Sequence, residues 1–148
     1  MSNQRCRICK SQTKKKGLLY SCKNKVCGGV HWDKGSVKRV LRDNPEGLDQ
    51  LLLEAGVPDK IKGKKSHFVY TLRLKGEVNA VYVGMTGLHP YARYLNHIRG
   101  YKSSKHTKRR ATALINFEGP MDAEEAKMRE PELAEELREK DYIVYGGH

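Results

Sequence analysis

All four cysteines of the chain fall in one short N-terminal window, as Cys6-Arg7-Ile8-Cys9 and Cys22-Lys23-Asn24-Lys25-Val26-Cys27. Two close pairs separated by a spacer is the spacing of a structural zinc site, in which each pair supplies one edge of a tetrahedron. The spacer holds Gly17 and the strand-like Leu18-Leu19-Tyr20, which can bring the pairs together as two knuckles. Four thiolates would close the coordination sphere and leave no position for water, so such a zinc ion folds the segment and does not catalyse. The other readings are free thiols or disulfides, or a site in which His31 replaces one cysteine. Trp32, the single tryptophan, is expected to pack against the metal knuckle, with stacking on a base as the alternative.

Charge narrows the partners. The 148 residues carry 29 Lys and Arg against 17 Asp and Glu, a net charge of +12. The distribution is uneven: 16 basic and 6 acidic residues in 1–66, 9 and 2 in 67–120, 4 and 9 in 121–148. A basic balance of this size is the footprint of a nucleic-acid binder. An anionic membrane would also attract it, but the sequence has no long apolar run, lipidation motif or signal peptide. A cytoplasmic protein with reduced cysteines and no membrane partner is therefore expected. Lys14, Lys15 and Lys16 on the cysteine module are candidate phosphate contacts, the bland reading being a solvated basic loop. The run from Arg99 through Lys102, Lys105, Lys108, Arg109 and Arg110 is a second candidate track for a DNA backbone.

After a helical stretch over 35–56, with Asn44 read as an N-cap and Gly56 as the helix stop, a basic linker precedes a different pattern. From His67 to Gly84 the apolar residues alternate with period two: Phe68, Tyr70, Leu72 and Leu74, then Val81 and Val83. Lys75-Gly76-Glu77-Val78-Asn79 reads as the turn of a hairpin. Pro90 then opens a helix to about Arg99, with Tyr91, Leu95 and Ile98 as its apolar stripe. Arg93 and His97, four residues apart, share a face nearly opposite that stripe and are expected to point away from the core. Ala111 to Phe117 can form a third strand. Asp122 followed by Glu125 has the capping-box pattern of a last helix.

The triplets Phe68-Val69-Tyr70 and Tyr82-Val83-Gly84, with Arg93, His97 and Glu130 downstream in order, resemble the GIY-YIG nucleases, a family of metal-dependent DNA endonucleases. Only the tyrosine of the first triplet is kept, and no asparagine stands in Asp141 to His148, where the family often has one. The resemblance covers roughly His67 to Tyr145. It implies an α+β fold with a small three-stranded antiparallel sheet flanked by helices, preceded by a small zinc-binding module. The corresponding division is a zinc module over 1–34, a helical connector and basic linker over 35–65, and a nuclease domain over 66–148. It implies catalysis by Tyr70, Tyr82, Arg93, His97 and Glu130, with Glu130 holding Mg2+ or Mn2+ and Gly84 keeping space beside the tyrosines. Glu125 is the second candidate for the metal ligand, because Pro131 after Glu130 would kink a helix or start a new one. Either Tyr70 or His97 could be the general base. The partner implied is double-stranded DNA, with a homodimer as one way to cut both strands.

Overall fold

The computed structural model describes residues 4–57, 65–99 and 110–147. Its first three strands come from the cysteine segment. β1 (Thr13–Lys16) turns through Gly17, in the left-handed region at φ +61°, into β2 (Leu19–Cys22), and β3 (Val30–Trp32) pairs with β2. Helix α1 (Lys34–Asp43) starts where the Asp33 carboxylate accepts the Ser36 amide, a side-chain N-cap. Helix α2 (Leu48–Glu54) ends before Gly56, whose φ of +85° is the left-handed exit that glycine favours. Asn44 closes α1 instead of opening the second helix. Its side chain accepts the Glu46 amide in a local turn, so α2 starts at Leu48, later than the Asn-Pro pair suggests.

β4 (His67–Leu74) and β5 (Ala80–Thr86) form the expected hairpin, with Tyr70 opposite Gly84 and Leu72 opposite Tyr82. Helix α3 spans Pro90–Arg99, strand β6 spans Ala111–Met121, helix α4 spans Ala123–Glu139, and the short strand β7 spans Ile143–Gly146. All seven strands lie in one mixed sheet, in the order β1-β2-β3-β6-β4-β5-β7. The small three-stranded sheet implied by the resemblance is thus corrected. β6-β4-β5 is only its centre, and the sheet runs across the boundaries expected at 34 and 65. The cause is the exposed hydrogen-bonding edge of each outer strand. β6 meets β3 through Val30 and Leu114, and β5 takes β7 as a parallel partner, so both edges of the central three are covered.

The main core lies where Trp32, Val37 and Leu51 meet Leu72, Leu95, Ile98 and Leu114. A smaller core joins Val69 and Val83 to Ala126 and Ala134 of α4. Each large apolar side chain so buried contributes about 1.5–3 kcal/mol. Trp32 belongs to the main core and donates its indole N–H to the Tyr91 carbonyl at 3.2 Å, so it braces α3 instead of the cysteine knuckles. α3 touches α1 and α2 as well as β4 and β6, and is therefore buried on most of its circumference. His97 is fully buried as a result, and the outward-facing Arg93–His97 surface expected from helical spacing is corrected. α4 runs unbroken through Pro131. Pro131 and Lys127 are both on the exposed side, where water can satisfy the carbonyl that proline leaves unbonded.

Candidate active site and metal centre

The β4–β5 register brings two phenols and a glycine to one place. The Tyr70 hydroxyl lies 2.8 Å from Nε2 of His97, and both side chains are buried. The Tyr82 ring meets the His97 ring edge-on at 5.8 Å between centroids, and the two tyrosines are 6.4 Å apart. Gly84 makes this approach possible: a Cβ there would stand 2.6 Å from the Tyr70 hydroxyl oxygen and 3.0 Å from the Tyr82 ring. Gly146, at φ +76°, does the same from β7, since its Cβ would fall 2.9 Å from the Tyr82 ring.

Arg93 and Glu130 act on the same group. The Arg93 side chain hydrogen-bonds Tyr70, and its positive charge is felt at both Tyr70 and His97. Glu130, on α4 and only 6 % exposed, is near enough for its charge to oppose ionisation of Tyr70. Burial is the main influence on Tyr70 and raises its pKa. Arg93 pulls the other way, while Tyr82 and Glu130 add to the rise. Burial, and secondarily the Arg93 charge, pushes His97 down to about 3. The imidazole is therefore neutral through the physiological range, and its Nε2 shares a hydrogen bond with the Tyr70 hydroxyl whose direction follows the tautomer.

The sequence candidates Tyr70, Tyr82, Gly84, Arg93, His97 and Glu130 thus gather at one location, although they come from β4, β5, α3 and α4. Glu125, the second candidate for a metal ligand, is exposed on the first turn of α4, where its amide is capped by Asp122 at 2.8 Å. The described basic candidates fall on separate elements. Lys14, Lys15 and Lys16 are exposed on β1, an edge strand of the sheet, where lysines also discourage pairing with other chains. Arg99 is exposed at the end of α3 and donates to Asn96. Arg110 is engaged with Glu77 at 3.2 Å. Lys102, Lys105, Lys108 and Arg109 lie outside the described residues.

Two features had no sequence signal. Next to Glu130, Arg129 bridges Glu118 of β6 and Glu136 of α4, with N–O distances of 2.8 Å to each, and so ties the helix to the sheet. Phe68, His89, Tyr91 and Phe117 form an aromatic group with centroids 4.7 to 6.0 Å apart, and Phe117 is the β6 partner of Tyr70. Pairings between residues so distant in the chain depend on strand register, which local patterning does not set. The Gly146-Gly147 pair was the one available hint of the close approach at β7.

The four cysteine sulfurs lie within 4.8 Å of one another. Cys6 and Cys27 are 3.7 Å apart, and Cys9 and Cys22 are 3.4 Å apart. Four sulfurs at ~2.3 Å from a tetrahedral zinc would be separated by about 3.8 Å, so the set is compatible with that metal. Each pair also has the backbone of a knuckle. The Ile8 amide donates to Cys6 Sγ and the Asn24 amide to Cys22 Sγ, both at 3.4 Å, so the loops already point amide dipoles at the sulfurs. Burial pushes the Cys22 thiol up to about 12 and raises Cys27, while Ser11 pulls Cys9 down to about 6. A bound cation would let all four ionise together. His31 stands outside the set. Its Nε2 is 2.9 Å from Gln4 Oε1, its ring stacks on Tyr20, and burial lowers its pKa to about 4.

Among the described residues, no helix is long and apolar enough to cross a membrane. Comparison with known proteins finds no matching family model, no matching curated protein and no matching solved structure.

Proposed function

We propose that this protein is a metal-dependent endonuclease that hydrolyses phosphodiester bonds in double-stranded DNA, with a structural zinc ion on the four cysteines. The observation that carries the reading is the gathering of Tyr70, Tyr82, Arg93, His97 and Glu130 around the space kept open by Gly84. Phosphoryl transfer needs an activated water, a fixed cation at phosphorus and support for the leaving oxygen. These residue types supply those needs.

Arg93 holds the non-bridging oxygens of the scissile phosphate through a planar, permanently charged group. The Arg93 charge and that of a bound divalent ion would favour the Tyr70 phenolate, its proton having gone to solvent, and this phenolate takes the proton of the water as the water attacks phosphorus in line. The phosphorus–oxygen bond to the 3′ oxygen breaks on the opposite side, and that oxygen takes its proton from solvent water. A neutral His97 suits this role, because as a neutral imidazole it can donate Nε2–H to the phenolate oxygen that burial alone disfavours. Tyr82 orients the phosphate or the water from the other side of Gly84. Glu130 would hold the magnesium or manganese ion. A single carboxylate suits magnesium, which keeps most of its waters and completes its shell with phosphate oxygens. When bound, the ion supplies Lewis-acid charge at the phosphate and the leaving oxygen. Two such sites, in a homodimer or by successive visits, would cut both strands.

The test is incubation with supercoiled plasmid and Mg2+ or Mn2+ against a chelator control. Wild type should nick or cut the plasmid. Arg93→Ala and Glu130→Ala should lose at least a hundredfold in rate while still retarding DNA in a gel. Cutting by either variant would remove the assignment. The full burial of Tyr70 and His97 favours a second reading, in which the pair is a satisfied polar element of the core and the protein only binds nucleic acid. Salt-sensitive DNA binding with no scission in any divalent metal would select it.

A further inference from the structure

A groove of about 640 Å3 lies between the first cysteine knuckle and the β4–β5 turn, and none of the tyrosine-site residues lines it. Its walls carry Arg7, Lys10, Arg73 and Lys75. The one acid among its lining residues, Glu77, is already engaged by Arg110 and by the Tyr145 hydroxyl. Among the described residues no ion pair involves the four cations. Lys34 stands close enough to Arg7 and Lys75 for their charges to lower its pKa, after the larger effect of burial. Positive groups thus outnumber the single carboxylate here, which is itself paired with Arg110, an arrangement that an anion would relieve. The groove also presents apolar surface from Ile8 and Ile115 and the ring of Tyr142. Its volume falls in the range of small-ligand sites, roughly 300–1,000 Å3.

We infer that this groove binds a nucleoside phosphate, its phosphate held by Arg7, Arg73 and Lys75 and its base against the apolar wall. Arginine and lysine at a groove mouth select phosphate, and a flat apolar wall with a tyrosine suits a base of any identity. The ligand can be a free nucleotide or one unit of a nucleic-acid strand. The wall formed by Arg7, Ile8 and Lys10 belongs to the Cys6–Cys9 knuckle, so the metal centre shapes this site even though it lies outside it. The inference does not depend on the endonuclease reading, because it concerns binding and would stand for a protein that cuts nothing.

The experiment uses the zinc-loaded full chain without magnesium or manganese, at low salt, and two probes: thymidine 5′-monophosphate and a fluorescent twelve-residue oligothymidylate. Titration of the wild type followed by amide NMR should move Ile8, Lys75 and Tyr142. The Arg73→Glu/Lys75→Glu variant, both positions being exposed, should bind at least tenfold more weakly. Lys127→Ala/Lys140→Ala, at exposed lysines that do not line the groove, should leave monophosphate binding unchanged. Binding of both probes with this pattern supports the site for free nucleotides and strands alike. Binding of the oligonucleotide alone, with the same shifts and the same loss, supports it for strands. No shift at Ile8, Lys75 and Tyr142 with either probe overturns it, as does charge reversal without effect. The wild-type shifts decide the matter even if the double variant proves unstable.

Discussion

The cysteine pole and the tyrosine site lie on one sheet, yet their order has different origins. Of the four cysteines only Cys6 is buried: Cys9 is exposed, Cys22 and Cys27 are half-buried, and the neighbouring Lys23 and Lys25 stand in solvent. Most of this region lies outside the packed core, so its geometry rests on loop hydrogen bonds aimed at sulfurs that are spaced as a metal ion would need them. Around Tyr70 the reverse applies. Tyr70, His97, Glu130 and Gly84 are buried, and their positions follow from strand register and helix docking. The first region should fail when its metal is removed, and the second when a single methyl group is added.

The largest effect should come from the metal. Structural zinc is worth roughly 10–16 kcal/mol of apparent binding free energy in small modules. Cys9→Ser/Cys22→Ser should lose the bound zinc by atomic absorption and expose the amides of β1 to β3 to rapid hydrogen exchange, while β4 and β5 stay protected. Equal loss of protection in both regions would show that the two are one cooperative unit.

Next is Gly84→Ala. Its Cβ would meet the Tyr70 hydroxyl oxygen at 2.6 Å and break the 2.8 Å bond to His97. Overpacking of this kind costs about 1–3 kcal/mol, readable as a lower urea midpoint with zinc still bound. An unchanged midpoint would mean that the tyrosines have room the register does not suggest.

Acid should separate the regions more gently. His97 is held neutral in the fold, with its pKa at about 3 against 6.5 for a free histidine. The unfolded chain therefore binds a proton that the native state refuses, and stability falls as pH drops below about 6.5 and continues to fall toward 3. The slope for one such group is at most about 1.4 kcal/mol per pH unit. His97→Gln should show a shallower decline than wild type in urea titrations between pH 7 and 5, a difference from which effects at the cysteines cancel. Equal slopes would place the acid sensitivity elsewhere. The smallest effect is expected at Arg129, whose ion pairs with Glu118 and Glu136 are partly solvated. Arg129→Ala should cost roughly 1 kcal/mol or less, and the loss should shrink further in high salt.

Several parts of the molecule were legible in the residues alone. Period-two alternation placed Tyr70 and Tyr82 on a hairpin, and the turn residues set its register. The spacing of the cysteines was enough to bring four sulfurs together, because each close pair is a local structure and only one loop must close between them. Helical spacing correctly put Arg93 and His97 on the same side of α3, but it gave the wrong neighbour. A single helix records which residues share a face and not what lies against that face. The amphipathic stripe identified one buried side of α3, and the sheet buried another. Glu130 could be named by its resemblance to a family ligand, but its burial depends on α4 continuing through Pro131.

Local chemistry, then, was written in the chain: which residues alternate, which cap, which pairs of thiols face one ion. The seven-stranded sheet was decided by tertiary structure, because β3 joins β6 through residues 84 positions apart, Val30 and Leu114, and β7 joins β5 across an intervening strand and two helices. No periodicity encodes such pairings. They form because an open strand edge in the middle of the protein must find a partner for its backbone, and the nearest free edge in space is distant in sequence. The same closure put a histidine, an arginine and a carboxylate around two phenols.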